Sequence, residues 1–474
     1  MATCSRAVIM SSLCGVLAIQ PKDLWFLVFR VLPKLLGLPP SLLKKFRKYE
    51  HVHPLHMETM VSTLPELPQD TLMDIFANLD IPDLMRIGSV CSSWRSAYTC
   101  LRNLGKYKQS QTPCLLYTSE SAGQNVACLY SLVENRTYKL TLPEPPICSR
   151  FLIGSSNGWL ITADERSELH LVNPITGEQI ALPSVITMEH VKPITDGSGI
   201  VHKYELSDHT GETDYEEQSI HALNGLREHL YYKAFLFPDR STGSYIVVLI
   251  HNPYCQLSFA RAGDDKWTWL PPNTCYRDCI FMDGLLYALT SHGEIDAFDL
   301  TASTITMKVI VDKVKHYIYD YESMYIIRAP WGDLLQVWRT IDVPRQEDEE
   351  GDAPEHSPAM CLPCTLKIEV YKVDMEAKEL IKINSLPYHV LFLGHNNSLC
   401  LSAEEHPQLK ANHVYFTDDH DELVIALKNY SRDIGVMDLE NSTRKKIVDQ
   451  IWSNWPCPTW ITPSLTKINL AFSK

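Results

Sequence analysis

Basic charge is scarce in this 474-residue sequence: 43 lysines and arginines face 57 aspartates and glutamates, a formal net charge of −14. That balance disfavours a nucleic-acid backbone as the main partner, and no basic reading surface is expected. Long apolar runs are lacking too. The stretch LWFLVFRVLPKLLGL is 15 residues long and broken by Arg30, Pro33 and Lys34, too short and too interrupted to cross a bilayer, so no stable membrane insertion is expected. The 14 cysteines form no dense framework. Scattered thiols fit a reducing compartment, which makes cytoplasm and/or nucleus the expected location. Asn135-Arg-Thr and Asn429-Tyr-Ser match glycosylation acceptors, a pattern short enough to arise by chance.

Chemical signatures are equally sparse. His395 in LGHNNS and the run TDDHDE, 417–422, set histidine beside Asn or Asp, but no Ser or Cys nucleophile motif accompanies them. They read as turns, stabilised by side-chain to backbone bonds. Cys361-Leu-Pro-Cys364 and the wider pair Cys275 and Cys279 could offer four thiolates to zinc, yet they lack finger spacing. Isolated cysteines account for them better. No catalytic residue, cofactor or metal ligand is expected.

What is present divides into unlike parts. A chain of this length, 45% hydrophobic and 21% charged, suits a soluble protein of about two units. From Met1 to Tyr49 there are eight Lys or Arg and one acid, Asp23. Residues 1–60 therefore read as a basic, poorly ordered extension, with an organellar targeting segment as the alternative. At 64–105 the rhythm becomes helical. Pro68 suits a helix start, and Leu72, Ile75, Phe76 and Leu79 recur on one helical face. Asp80-Ile-Pro-Asp opens a second helix carrying Leu84 and Ile87, which Gly88-Ser89 ends; a third carries Val90, Cys91, Trp94 and Tyr98. Three helices of this size bury too little among themselves to be stable alone. Either the unit caps the rest of the chain or a partner covers it.

This pattern resembles the F-box, the motif through which substrate receptors attach to the Skp-family adaptor of SCF-type (cullin-RING) ubiquitin ligases. Leu67, Pro68, Leu72, Ile75, Leu79, Leu84, Val90, Cys91 and Trp94 fall where the family places its signature. The resemblance implies that these nine residues bind the adaptor. Ser93 departs from the Lys or Arg that commonly precedes the tryptophan.

Beyond a joint expected at 106–113, short β-type runs such as GWLIT, YIVVLI and IDAFDL alternate with Gly, Asn, Asp and Pro turn signals. Leu142-Pro143, Leu182-Pro183, Leu270-Pro271 and Leu386-Pro387 end several of them, 40, 88 and 116 residues apart. Gly158 precedes Asn173, and Gly284 precedes Asp299, by the same fifteen residues. A repeat of about 40 to 45 residues with about four strands matches a propeller blade. The fold class expected is mainly β: a β-propeller-like domain of six to eight blades at 114–470, preceded by a small three-helix module. An irregular pair of β-sandwiches is the alternative. The segments GSSNGWLITADERSELHLVNPITGEQIALP, ARAGDDKWTWLP, FMDGLLYALTSHGEIDAFDL and the closing WPCPTWITPSL resemble the plant KIB-type family, a domain of unknown function usually found behind an F-box. That resemblance implies a propeller-like receptor whose ligands are mostly undefined.

Trp452, Trp455 and Trp460 are expected to fill the core where the last blade closes. Acids and four prolines at 342–363 mark a solvated loop. The combined reading is a non-catalytic substrate receptor, with the adaptor and, through it, cullin on the helical module and an unidentified protein substrate on the propeller. An F-box-bearing scaffold or organellar protein outside ubiquitylation is the competing reading.

Overall fold

The computed structural model describes residues 68–466 and 468, except 89–91, 109, 208–217, 240–242, 272–274, 302–304, 313, 315–321, 343–363, 420–424 and 426–430. The expected N-terminal extension, nearly all of the acidic loop, and Leu67, Val90 and Cys91 lie outside the described residues. The chain divides into two units, Met1–Gln111 and Thr112–Lys474.

In the first unit, α1 (Gln69–Phe76), α2 (Ile81–Ile87) and α3 (Ser92–Asn103) follow the expected spacing. Pro68 stands just before α1 in an extended conformation, and its carbonyl accepts the Leu72 N–H at 3.0 Å. Pro82 sits in the first turn of α2, where a missing N–H leaves no hydrogen bond unmade. The ring of Phe76 from α1 meets Trp94 from α3 edge to face, with centroids 5.2 Å apart. The residues read as a joint are hydrogen bonded here. Gln111 Oε1 accepts the Ile81 N–H at 2.8 Å, capping α2, and Lys108 pairs with Asp80 at 2.9 Å.

In the second unit, six sheets of four or five strands and a smaller sheet of three are present among the described residues. Blade 1 holds Cys114–Tyr117, Val126–Ser131 and Arg136–Thr141, and takes its first position from the C-terminal strand Thr459–Ile461. Blade 2 spans 151–181, blade 3 spans 231–270, blade 4 spans 276–311 and blade 5 spans 322–383, each with four strands in sequence order. Blade 6, 389–445, has five strands, including a parallel pairing of His389–Leu393 with His413–Phe416. Buried side chains run between neighbours around the ring: one cluster joins blades 2 and 3, another blades 3, 4 and 5, a third blades 5 and 6, and a fourth blades 6 and 1.

The turn chemistry follows from sequence. Asn157-Gly158 in blade 2 and Asp283-Gly284 in blade 4 each have both φ angles positive, the geometry a two-residue hairpin requires. At Gly158 a side chain is also excluded by space, since a Cβ would lie 2.2 Å from that of Ser464. Each Leu-Pro pair marks the end of a blade, and its leucine is buried. The 88-residue interval is therefore not two blades. It contains blade 3 plus the three-stranded sheet of Val191–Thr195, Val201–Ser207 and Gln218–Ala222, inserted between blades 2 and 3.

Histidines fasten that insertion. His190, just before its first strand, stacks on His251 of blade 3 with centroids 4.8 Å apart and lies 5.0 Å from Trp269. Both face the Asn252 carbonyl, at 3.1 Å and 3.0 Å, and His251 Nε2 lies 2.8 Å from Ser258 Oγ. Burial, reinforced for His190 by His251, pushes His190 down to about 3, and burial brings His251 to about 4.

Two outcomes are expected. Trp460 is fully buried, edge-on to Phe392 and Tyr415 at 5.2 and 6.2 Å, so Trp460→Ala should cost about 3 to 5 kcal/mol in urea unfolding. A loss below about 1 kcal/mol would contradict its role in closure. The histidine pair is neutral when folded and binds protons near pH 6.5 when unfolded. Its stabilisation is thus complete above that pH and lost as pH falls, by about 2 to 3 kcal/mol per histidine at pH 4.5. The melting midpoint should fall between pH 6.5 and 4.5, and His190→Phe should flatten the decline. An unchanged slope in that variant would count against the pair.

Candidate functional site

The resemblance assigns adaptor binding to nine residues of the helical module, most of them apolar. Leu72, Ile75, Leu79, Leu84 and Trp94 are buried, together with Phe76, Ile81, Ile87, Ala97 and Leu101. Of the nine motif residues, Pro68 alone is exposed among those described. The physical reason lies in helix length: elements of seven to twelve residues can persist only by sharing a core. The same packing sets Gly88, whose Cβ would lie 2.8 Å from the Tyr98 ring, while Arg95 Nε donates to the Gly88 carbonyl at 3.1 Å. Exposed around Pro68 are Gln69, Asp70 and Asp74 of α1, with Ser92, Arg95, Ser96 and Thr99 on α3.

On the propeller, polar groups gather near the first strands of the blades. Lys233 of blade 3 pairs with Asp278 of blade 4 at 3.2 Å, both nearly inaccessible to solvent. The other Asp278 oxygen accepts the Ile326 N–H of blade 5 at 3.0 Å and the Ser398 hydroxyl of blade 6 at 3.3 Å. Burial pushes the Asp278 carboxyl up, and the ammonium of Lys233 opposes that shift. Lys233 Nζ also stands 5.4 Å from the Phe235 ring and 5.3 Å from that of Tyr325.

The LGHNNS segment, read as a turn, crosses to blade 2. The Asn397 N–H donates to the Ser155 carbonyl at 2.7 Å, and Asn396 bridges Ser155. His395 is buried, which brings it down to about 4. Gly154 makes the approach possible: a Cβ there would lie 2.2 Å from the Ala234 carbonyl oxygen and 3.3 Å from that of His395.

A second cluster joins blades 5 and 6. Arg339 donates from Nη1 to the Thr417 carbonyl at 2.7 Å and to Asp419 at 3.1 Å, and from Nη2 to Asp433 at 3.1 Å. Asp433 also accepts the Thr365 N–H at 2.7 Å and is paired with Arg444. The guanidinium lies 4.7 Å over Phe416. Burial alone would weaken its hold on the proton, but Tyr325, Asp419 and Asp433 raise it above the ordinary arginine range. With its donors engaged at 0% exposure, Arg339 ties two blades and is not offered to a ligand.

The residues weighed for zinc are dispersed: Cys275 and Cys279 belong to the start of blade 4 and Cys364 to blade 5, while Cys361 lies outside the described residues. Among the described residues no group of three or more His, Cys, Asp or Glu could hold a metal ion. Sequence reasoning missed Lys233, Asp278 and Arg339. The available signal was a charge inside an apolar strand, as in YYKAFLF, YRDCIFM and QVWRTID.

Comparison with known proteins agrees with this architecture. The F-box-like family matches residues 64–100, and the KIB1-4 beta-propeller family matches 129–438. The F-box protein At5g55150 of Arabidopsis thaliana is 24% identical over 405 residues, covering 85% of this chain and 96% of its own length. F-box protein SKIP23 of the same plant is 24% identical over 413 residues, covering 84% and 95%. Among solved structures, TolB from Acinetobacter baumannii aligns over 79% of this chain and 74% of its own at 9% identity, with a TM-score of 0.30. The match at 129–438 spans more than half of the sequence and follows an F-box-like segment, so this chain belongs to the KIB1-4 beta-propeller family.

Proposed function

We propose that the chain is the substrate-recognition subunit of an SCF-type ubiquitin ligase, with the helical module holding a Skp-family adaptor and the propeller holding a protein substrate. An F-box followed by a family propeller supports a substrate-adaptor role in general, and this tandem at 64–100 and 129–438 is the observation that carries the reading. The chain itself performs no bond chemistry in this scheme; catalysis belongs to the cullin-bound subunits. Its place is the cytoplasm or nucleus.

Leu72, Ile75, Leu79, Leu84 and Trp94 shape the module from inside, and the contact centres on Leu67-Pro68 and the exposed side of α1 and α3 beside it. Side chains of both kinds matter, but through different measurements.

Replacing Leu67 and Pro68 with Ala should weaken adaptor binding by roughly thirtyfold or more while the module stays folded. Leu84→Ala should instead destabilise the module by about 2 to 5 kcal/mol, and lose adaptor through unfolding. Binding by calorimetry together with a helical signal by circular dichroism separates the two. Full adaptor affinity in a folded Leu67, Pro68 double variant would overturn the assigned contact. Loss of adaptor with unaltered turnover of every bound protein would overturn the ligase role.

A further inference from the structure

The seam between blades 3 and 4 carries a pair of thiols that neither closure of the ring nor the receptor role uses. Cys255 lies in the turn between the second and third strands of blade 3, and Cys275 directly precedes the first strand of blade 4. These positions meet at one end of the two sheets. The Tyr276 N–H donates to the Cys255 carbonyl at 2.9 Å, and the Ser291 N–H donates to the Cys275 carbonyl at 2.8 Å. Within that frame the Cys255 thiol donates to Asn252 Oδ1 at 3.7 Å, in the turn whose carbonyl holds the residue after Cys275. Cys255 is 9% exposed, whereas Cys275 is more open.

The surroundings favour a thiolate on Cys275. The neighbouring Cys255 thiol is the largest influence, burial opposes it, and Arg277, Ser291 and His292 add to it, so Cys275 is drawn down to about 6. Arg277 is itself fixed, its Nη1 3.2 Å from the Tyr232 hydroxyl and its guanidinium 5.5 Å from that ring. Other thiols are driven the opposite way. Burial raises Cys128, Cys279 and Cys457, and takes Cys400 up to about 12. A low-pKa thiol beside a second thiol is the arrangement that oxidation selects.

We propose that Cys255 and Cys275 form a peroxide-sensitive oxidation site, Cys275 attacking and Cys255 resolving, that closes to a disulfide across the blade 3–4 seam. The Cys275 thiolate attacks one oxygen of hydrogen peroxide; the O–O bond breaks, and Cys275 becomes a sulfenic acid as hydroxide leaves. The Cys255 sulfur then attacks that sulfur, giving up its proton. The S–O bond breaks, the departing hydroxide takes the proton, and water is released. In sum two thiols are oxidised to one disulfide and one peroxide is reduced to two waters. The link would fasten a turn in which Tyr254 and Cys255 both adopt positive φ, 62° and 49°, and on which Tyr254 stands 55% exposed.

The test uses the full chain, reduced, freed of reductant and treated with hydrogen peroxide, followed by non-reducing peptide mapping. A Cys255–Cys275 crosslinked peptide should appear before any other cysteine product. The alkylation rate of Cys275 with iodoacetamide should show a midpoint near pH 6 that rises in Cys255→Ser and in Arg277→Gln, with melting curves confirming that both variants are folded. Cys255→Ser should also stop at the sulfenic acid, trapped by dimedone on Cys275. Failure of the crosslink to form in the unmodified chain would overturn the proposal without reference to any variant, as would oxidation spread evenly over the cysteines.

Discussion

Thr459–Ile461 pairs antiparallel with Cys114–Leu116, and through that pairing the end of the chain supplies the first strand of the blade that the beginning of the domain leaves incomplete. Without it blade 1 would present an open edge where the other blades among the described residues present a complete sheet. Trp460 adds apolar contact to the hydrogen bonds: it reaches Phe392 and Tyr415 of blade 6 from the strand that belongs to blade 1. The same segment continues to blade 2, where the Ser155 hydroxyl donates to the Trp460 carbonyl and Asn173 Nδ2 to that of Ser464 at 3.1 Å. One short strand thus secures two seams of the ring, and every other blade is held between neighbours whose order it fixes.

Charge is placed where those neighbours meet. A buried ion pair is a poor source of net stability, because desolvation offsets much of the attraction, but breaking one partner is costly. Lys233 with Asp278, and Arg339 with Asp419 and Asp433, each join neighbouring blades through such a pair. The LGHNNS segment, which meets blade 2 at Ser155, and the Lys233 pair place the chain's own polar groups among the first strands of the blades.

Much of the fold could be read beforehand, and the reasons are local. Asn157-Gly158 and Asp283-Gly284 demand hairpins whatever surrounds them, and Leu-Pro pairs end blades because the leucine is core and the proline cannot extend a ladder. The inserted sheet escaped notice because its strands are as short as blade strands and its length with blade 3 imitates two repeats. The helix spacing was legible, but its meaning was not. A face of Leu72, Ile75 and Leu79 looks the same in sequence whatever covers it, and their burial becomes visible only in the packed structure. Cys255 gave no sign of its partnership with Cys275, since twenty residues and a blade boundary separate them.

Adaptor binding by the helical module of this propeller protein can be measured by mixing the purified full chain with a Skp-family adaptor and determining the mass of the eluting species by light scattering. The expected species is a one-to-one complex that also retains a cullin N-terminal domain when it is added. A folded chain that elutes alone at adaptor concentrations above ten micromolar, on the order of a weak transient contact, would contradict it.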